Sequence, residues 1–419
     1  MSTGAEGLRI LEIGDLGEVA GKLLADAGAD VIRVEPPAGT PSRRVGPFPG
    51  DRPGTNSSLH WAHFNTSKRG ITLDINSADG LALWWQLVEG ADAVIDAAGH
   101  GVLDAAGAGW DEAARRCDGK PLVWCSVTPF GREGPWAGWA SNDLVQIALG
   151  GPMMSTGYDD HELPPIRGGY DHSLWMAGEF ATIAILGATA GFEAGLADGP
   201  ELADLSMHEC VSCTVEGAFP NWEYDGRLVQ RQTGRHSSPD PTPEWQFPSA
   251  DGQFMNVIGG GLPRSDQGLA DVLDWMESHG AVEDLRDPKY AEAIHASPMS
   301  PNPDRRHFAE VIQRFIASLD AEDSYRGGQG LHQPWAVVRA PEANLDDPHW
   351  TDRGTWAEVE VPGHPEPVRV PTAPYRFDGV TRQVRRRAPM LGEHNHEVYV
   401  GELGLGDADL LRLAQINVI

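Results

Sequence analysis

The amino-acid sequence predicts an α/β fold, with a Rossmann-like large domain built on a parallel sheet and a smaller inserted α+β domain. The first observation is a buried-strand pattern at 8–13, followed by helical apolar spacing over 17–27 and a second strand pattern at 29–35. Strand, helix and strand within about thirty residues form a parallel βαβ unit. The second observation is that the same alternation returns further along the chain.

The repeated alternation supplies the remaining strands of the predicted sheet. A strand is expected at 70–74, a helix at 78–90 and a strand at 93–96. A helix near 111–117 and a strand at 122–127 complete the series. Apolar strands that alternate with helices are typical of a parallel sheet with helices on both faces.

The middle of the chain leaves this pattern. Apolar spacing favours helices over 176–197 and 201–218, which end the first part of the large domain, residues 1–219. Residues 220–244 are rich in Pro, Ser, Thr and Gly, and are interpreted as an extended linker. The linker is expected to lead out of the large domain.

A small domain is predicted over 245–331. It begins with a hairpin-like pair of segments, 246–247 and 253–258, and continues with several helices. Residues 332–419 are expected to return to the large domain and to complete it. This last part contains strand-like segments at 335–338, 356–361 and 368–370, and an amphipathic helix at 407–419.

The chain carries a strong net negative charge. Its 419 residues contain 32 Lys and Arg against 61 Asp and Glu, which gives −29 at pH 7, and 41% of the residues are hydrophobic. A polyanion of this kind is repelled by nucleic acids and anionic membranes, so neither is an expected partner. An anionic ligand needs local basic clusters, and these occur at Arg43–Arg44, Lys68–Arg69 and Arg385–Arg387.

Signals for export, membrane insertion and metal binding are weak. No continuous apolar run reaches the roughly 20 residues that span a bilayer, and the first residues lack a secretory pattern, so a cytoplasmic location is expected. Four cysteines are too few for a disulfide framework. Cys210 and Cys213 form a C-x-x-C near His208, but the second ligand pair of a zinc site is missing, so no metal is expected.

Asp171 is the candidate nucleophile. It lies among glycines in the loop 167–172, directly before a long helix of small residues. A helix N-terminus favours negative charge, and glycine allows a substrate to approach the backbone closely. A carboxylate in such a place can serve as a covalent nucleophile. The alternative is that Asp171 only caps the helix or turns the loop.

The first βα turn argues against a dinucleotide cofactor. Gly14, Gly17 and Gly21 do not follow the GxGxxG spacing that lets a pyrophosphate approach the helix. Glu35, at the end of the second strand, supplies only half of that fingerprint. A nicotinamide enzyme is therefore disfavoured.

Seven motifs are dispersed over nearly the whole chain, at 28–36, 65–74, 125–135, 142–146, 204–209, 259–261 and 391–396. Together they resemble the motifs of the class III CoA-transferases. This family contains formyl-CoA:oxalate transferase, the carnitine-type transferases and α-methylacyl-CoA racemase. Agreement over many segments is more persuasive than any single motif.

The resemblance implies an interlocked homodimer that moves coenzyme A from an acyl-CoA thioester to a free carboxylic acid. In the family an aspartate attacks the thioester to form a mixed anhydride. The CoA thiolate then forms an aspartyl-CoA thioester, and an incoming carboxylate repeats the sequence in reverse. Gly259, Gly260 and Gly261 match the glycine-rich loop that covers the intermediate, where backbone N–H groups can stabilise oxyanions. Without the family pattern, an ordinary turn is the simpler interpretation of these glycines.

The resemblance also assigns residues to the binding of CoA. Lys68 and Arg69 match the family's adenosine and phosphate contacts. Arg43 and Arg44 lie in the loop where basic side chains meet phosphate, and Asp143 is assigned to the same CoA site. Taken alone, basic pairs are more often solvated surface charges.

Two positions depart from the family pattern. Counted back from Gly178, the register of the transferase nucleophile falls on Leu174. Either the loop carries a short insertion and Asp171 acts, or the nucleophile is missing. The insertion is favoured because loop lengths vary easily at such turns. Asn142 stands where racemases carry a histidine, and asparagine cannot exchange a proton at neutral pH.

The sequence therefore predicts a cytoplasmic, homodimeric CoA-transferase. Two alternatives stay open. One is an acyl-CoA racemase or isomerase on the same fold, which Asn142 disfavours. The other is a catalytically inactive CoA-binding paralogue that serves as a partner subunit.

Overall fold

Six parallel strands form the main sheet, and the repeated βαβ pattern predicts five of them. The structure is a computed structural model that describes residues 4–215, 217–257, 263, 265–290, 302–377, 380–381 and 384–419. The strands are β1 (Arg9–Ile13), β2 (Asp30–Glu35), β3 (Arg69–Thr72), β4 (Ala93–Asp96), β5 (Leu122–Thr128) and β6 (Pro200–Ser206). Their order is β3-β2-β1-β4-β5-β6, and each neighbouring pair is parallel. The α/β class is confirmed.

Alternate residues of the central strands enter two separate cores, one on each face of the sheet. Ile10 and Val31 belong to one apolar cluster, whereas Leu11 and Ile32 belong to the other, and all four are buried. Successive side chains of a strand point to opposite faces, so both faces of this sheet are covered. The strand ends are thus the places where polar side chains can meet a ligand.

The helices of the same unit begin at residues that can cap them. Ser77 and Asn142 each accept a backbone N–H bond in the first turn of a helix. This unit comprises Met1–Gly150, Gly168–Thr214 and Leu345–Ile419. Its helices are α1 (Glu18–Asp26), α2 (Leu59–Phe64), α3 (Ala78–Glu89), α4 (Val102–Ala105), α5 (Trp110–Arg116), α6 (Asp143–Leu149), α7 (His172–Glu193) and α8 (Met207–Cys213), with Pro348–Asp352 and Asp407–Gln415 near its end.

The predicted helix over 201–218 is wrong in its first part. Residues 200–206 form β6, which pairs in parallel with all seven residues of β5. The apolar content of this segment is low, and only Leu205 and Ser206 at its end are buried. Pairing with a buried neighbouring strand outweighed the weak local helical spacing. The chain turns helical at Met207, where α8 begins.

Helix α7 begins and ends four residues before the predicted helix over 176–197, and it packs tightly against α1. At Gly178, an added Cβ would lie 2.4 Å from Val19. By length and composition, α7 is the one helix among the described residues that could cross a bilayer, although only 28% of its most apolar window is buried. Glu179 interrupts the apolar sequence of α7. The small residues of α7 allow it to pack closely against α1.

The second unit, Gly151–Arg167 with Val215–Asn344, has its own core. Strands β9 (Gln246–Pro248), β10 (Phe254–Val257) and β11 (Trp335–Val337) form an antiparallel sheet in the order β11-β10-β9. The predicted hairpin is confirmed by the pairing of β9 with β10. Buried side chains from these strands and from the helices Asp266–Ser278 and Pro303–Ala317 form one cluster, which includes Met255, Val272, Phe308 and Trp335.

The segment interpreted as an extended linker contains regular structure. A helix, Ala218–Asp225, is followed by strands β7 (Gln230–Gln232) and β8 (Arg235–Ser238), which pair with each other. Arg235 forms an ion pair with Asp159, a residue distant in sequence within the same unit. This tertiary contact is invisible to local composition, which is why Pro and Ser content suggested a linker. The domain boundaries proposed from the sequence remain predictions.

The last part of the chain contains the expected strands. Strands β12 (Trp356–Val359) and β13 (Val368–Pro371) pair in antiparallel fashion. The short strands β14 (Arg376–Phe377) and β15 (Val380–Thr381) form a second pair. The amphipathic helix expected at the end is present over Asp407–Gln415.

Candidate active site

A cavity of about 230 Å³ lies within the first unit, at the carboxyl side of the sheet where α7 begins. Parallel sheets commonly bind ligands at this edge. Its polar lining is Asp15, Glu18, Ser42, His60, Ser141, Asn142, Asp143, Gln146, Asp171 and Ser173. Its apolar lining is Leu16, Pro41, Val45, Pro129, Leu174 and Met207. The cavity therefore joins the predicted nucleophile to residues of α1, α2 and α6.

Asp171 is the residue that precedes the first turn of α7, and its side chain is exposed at the cavity. It does not make the capping hydrogen bond of its own helix. Asp143 caps α7 instead, because its Oδ1 accepts hydrogen bonds from the N–H and the Oγ of Ser173, each at 2.9 Å. The start of α6 is thus fixed to the start of α7, with Asp171 beside the junction.

A buried charge network lies under the cavity. The Arg33 guanidinium is fully buried and donates to Glu12 at 2.7 Å, to Asp15 at 2.5 Å and to the carbonyl of Gly14 at 2.6 Å. Lys68 Nζ lies 2.7 Å from the second oxygen of Glu12. Burial raises the pKa of Glu12, although the charges of Lys68 and Arg33 oppose this effect. The network fixes Asp15 at the cavity wall.

Glu18 carries a stable negative charge beside the cavity. Burial favours the neutral acid, but a hydrogen bond from His60 and the positive charges of Arg33 and Lys68 lower the pKa of Glu18 to about 2. The Ser42 hydroxyl donates to Glu18 Oε1 at 2.6 Å, and His60 Nε2 lies 3.5 Å from Oε2. The carboxylate therefore orients both a hydroxyl and an imidazole at the cavity.

The cations assigned to CoA are engaged in ion pairs. Arg43 donates to both oxygens of Glu35 at 2.6 and 2.7 Å, and its guanidinium stacks 3.7 Å from the ring centroid of Trp61. Lys68 is fully buried against Glu12.

Arg69 is similarly occupied. It pairs with Asp30, Glu397 and Glu402 on its own sheet edge. Arg43, Lys68 and Arg69 thus stabilise the fold through ion pairs with carboxylates. A phosphate could bind one of them directly only by replacing its carboxylate partner. Their role in CoA binding stays a prediction.

The two departures from the family pattern have clear local structures. Leu174 is buried in a small apolar cluster with Val19 and Phe64, and it also borders the cavity. Asn142 caps α6 by accepting the N–H of Val145 at 3.0 Å. Neither side chain can exchange protons with a substrate at neutral pH.

Gly259, Gly260 and Gly261 lie outside the described residues, so their predicted place over the intermediate stays a prediction. Among the described residues, no group of three or more His, Cys, Asp and Glu side chains could hold a metal ion. Cys210 is buried and Cys213 is exposed on α8, and both are free thiols.

Sequence reasoning missed His60 and Ser42 as site residues. Ser58 caps α2 by accepting the N–H of Trp61, and its own hydroxyl donates to the carbonyl of Val45. This places His60 in the first turn of α2, facing the cavity. The Ser–Ser–Leu–His run signals a helix start, but nothing in it signals the cavity.

Comparison with known proteins identifies the family. The model of CoA-transferase family III matches residues 6–395. The chain belongs to CoA-transferase family III. It is 31% identical to the succinyl-CoA:(R)-benzylsuccinate CoA-transferase subunit BbsE of Thauera aromatica, over 92% of this chain and 91% of that one. It is 29% identical to succinyl-CoA–D-citramalate CoA-transferase of Chloroflexus aurantiacus, over 98% and 97% of the two chains.

The fold agrees with that of a solved structure. The chain superposes on a CAIB/BAIF family protein from Brucella suis with a TM-score of 0.76 and 23% identity, covering 96% of this chain and 100% of the other. The chain is thus an enzyme of the class III CoA-transferase family, whose substrates are CoA thioesters and carboxylates.

Proposed function

We propose that this CoA-transferase moves CoA from an acyl-CoA to a free carboxylic acid through a covalent intermediate on Asp171. The observation that supports this most is the position of Asp171, at the start of the 22-residue α7 and on the wall of the cavity. The positive end of the helix dipole stabilises a carboxylate there. Asp143 and Ser173 complete the cap, so the Asp171 side chain is not needed for it.

The proposed reaction balances through two anhydrides. The Asp171 carboxylate attacks the thioester carbonyl, the C–S bond breaks, and CoA leaves as the thiolate. The thiolate attacks the Asp171 carbonyl and expels the donor acid as its carboxylate. The acceptor carboxylate then attacks the aspartyl-CoA thioester, and the released thiolate finally takes the acceptor acyl group and restores Asp171. Dividing one exchange into such steps is the advantage of covalent catalysis.

The proposed contact to the CoA phosphates is Arg44. It is exposed, unlike its neighbour Arg43, and it follows Ser42 and precedes Val45, which line the cavity. Arginine binds phosphate through a planar pair of donors. Arg44→Gln tests this contact through the KM for the acyl-CoA donor, with the KM for the acceptor acid as the internal comparison.

Asp171→Asn is the experiment that tests the transferase mechanism. With succinyl-CoA as donor and a panel of carboxylic acids as acceptors, loss of the nucleophile lowers the rate at least about 10³-fold. Glu179→Gln, an exposed change on the same helix, is the matched control and keeps the rate. Full activity in Asp171→Asn contradicts the proposal.

A second candidate function is that of a CoA-binding subunit whose catalytic aspartate lies on another chain. Leu174 occupies the register of the family nucleophile and is buried, and the relative from Thauera aromatica is itself called a subunit. Leu174→Asp separates the two candidates. A gain of transfer activity in that variant, from a parent protein without any, supports the subunit role.

We also propose that the chain assembles as a dimer. Phe180, Ile183 and Leu186 of α7 are spaced by one helical turn and are 37%, 65% and 39% exposed. A continuous exposed apolar stripe of this kind is typical of a protein interface. Light scattering measures the mass, and Ile183→Glu is expected to yield monomers.

A further inference from the structure

We propose that His60 binds the carboxylate of the acceptor acid, and that the cavity selects an acid whose remaining body is apolar and uncharged. This inference rests on the proposed transferase function, and it assigns a substrate class to the same cavity. Among the described residues that line the cavity, His60 is the single basic side chain.

His60 lines the cavity and is held in place by Phe64 and Glu18. Its ring contacts Phe64, with 4.7 Å between the ring centroids, and its Nε2 lies 3.5 Å from Glu18 Oε2. Glu18 is 1% exposed and ionised, so its carboxylate holds the imidazole in place beside the cavity. The His60 side chain itself is 16% exposed, which leaves part of the ring accessible to a ligand.

Two buried positive charges beneath the cavity, Arg33 and Lys68, already have carboxylate partners. Arg33 and Lys68 share Glu12, with Arg33 also bound to Asp15. Both are fully buried beneath the wall. An acid that enters the cavity therefore meets the imidazole, and a charge-assisted bond from it to a carboxylate is among the stronger hydrogen bonds in proteins.

The other cavity walls determine which kind of group, beyond the carboxylate, a bound acid can have. Leu16, Val45, Leu174 and Met207 present apolar surface, and the volume of about 230 Å³ exceeds the roughly 150 Å³ that holds benzene in an apolar protein cavity. A second carboxylate would face the carboxylates of Asp15, Glu18 and Asp143 or these apolar groups, and burying an unpaired charge is costly. The walls thus favour a monocarboxylic acid with a ring or a branched chain.

The order of the reaction makes this binding compatible with Asp171. When the acceptor acid enters, Asp171 is an aspartyl-CoA thioester and has lost its negative charge. The acceptor carboxylate then meets the imidazole of His60 and an uncharged carbonyl carbon. Asp171→Asn reproduces this loss of charge, so it is the suitable host for measuring the binding of an acid.

The test compares benzoate with benzamide in calorimetric titrations of Asp171→Asn. Benzamide has the same shape without the charge. Adding His60→Gln is expected to weaken benzoate about 10- to 100-fold and to leave benzamide unchanged. Adding His63→Gln is the matched control on the same helix. Burial and the charge of Lys22 lower the pKa of His63 to about 4, so this imidazole is neutral and its loss should not affect benzoate.

Kinetics of the chain with Asp171 intact provide the second arm. His60→Gln is expected to raise the acceptor KM about tenfold while the acceptor-free reaction with succinyl-CoA, trapped by hydroxylamine, keeps its rate. If the parent protein forms no hydroxylamine-trapped adduct, the proposed transferase function is wrong. The benzoate titration still shows whether His60 binds a carboxylate. Three results would overturn this inference. They are equal benzoate affinity with and without His60, no benzoate binding to Asp171→Asn, and tighter binding of succinate than of benzoate.

Discussion

Asp143 accepts two hydrogen bonds from Ser173, from its backbone N–H and from its hydroxyl, each 2.9 Å long. The two residues join the first turns of α6 and α7, and the cavity opens beside them. Because α7 receives its cap from another helix, the conformation of the loop that carries Asp171 depends on this contact.

Replacing Asp143 with alanine tests that dependence. Asp143→Ala removes the acceptor of two hydrogen bonds and is expected to cost about 1–2 kcal/mol of unfolding free energy and to lower kcat. Asp143→Asn retains a carbonyl oxygen that can accept these hydrogen bonds. This variant is expected to keep most of the unfolding free energy and most of kcat. Urea unfolding and transferase assays measure the two effects. Equal activity in the alanine and asparagine variants would show that the cap does not position Asp171.

The buried pair of Glu12 and Lys68 supplies a second prediction. Burial lowers the pKa of Lys68 and raises that of Glu12, while each partner's charge opposes the shift of the other. Lys68→Met leaves Glu12 without this partner in the interior and is expected to cost about 3–5 kcal/mol. Glu12→Gln together with Lys68→Met should recover part of the loss. A Lys68→Met protein of normal stability that binds CoA poorly would instead favour a direct phosphate contact.

Two glycines of α7 form a matched pair. An added Cβ at Gly178 lies 2.4 Å from Val19 and 3.0 Å from the backbone nitrogen of Ala20, whereas at Gly187 no heavy atom lies within 4 Å. Gly178→Ala is expected to destabilise the protein by about 1–3 kcal/mol. Gly187→Ala is expected to stabilise it by up to about 1 kcal/mol because alanine favours helix. Thermal unfolding measures the stability of both variants. Similar changes in stability would contradict the close packing of α7 on α1.

Asp96 predicts a dependence of stability on pH. It lies at the end of β4, where burial raises its pKa to about 6 despite a hydrogen bond from Trp124. The folded protein therefore retains this proton more strongly than the unfolded chain. The resulting stability is full below about pH 4 and is lost as pH rises through about 6. Asp96→Asn is expected to be more stable than the parent at pH 8 by about 2 kcal/mol, with little difference at pH 4. Lower stability of Asp96→Asn at pH 8 would show that the carboxylate is favourable there.

The sheet could be predicted because its strands are locally marked. Strand segments such as 10–12 and 122–127 are buried on both faces, and helices separate the strands at regular intervals. Strand β6 was missed because its pairing with β5, rather than its own composition, makes it a strand. The hairpin of β7 and β8 was missed for a related reason, since the Arg235–Asp159 contact joins segments far apart in sequence.

The site could be predicted only in part. Asp171 is marked by glycines and by the helix that follows it, and it does line the cavity. His60 carries no such mark, because its place depends on the Ser58 cap and on Glu18 across the unit. A basic pair in sequence also says nothing about its partners, and the burial of Arg43 and Lys68 arises from carboxylates on neighbouring strands.

Mass-spectrometric mapping of Asp171 after reaction with acyl-CoA tests the central claim most directly. The protein is mixed with succinyl-CoA, quenched with hydroxylamine and digested, and the peptide that contains Asp171 is sequenced. The account predicts a hydroxamate at the side chain of Asp171, absent from the reaction without thioester. An active preparation in which Asp171 stays unmodified, with or without an adduct at another carboxylate, would contradict it.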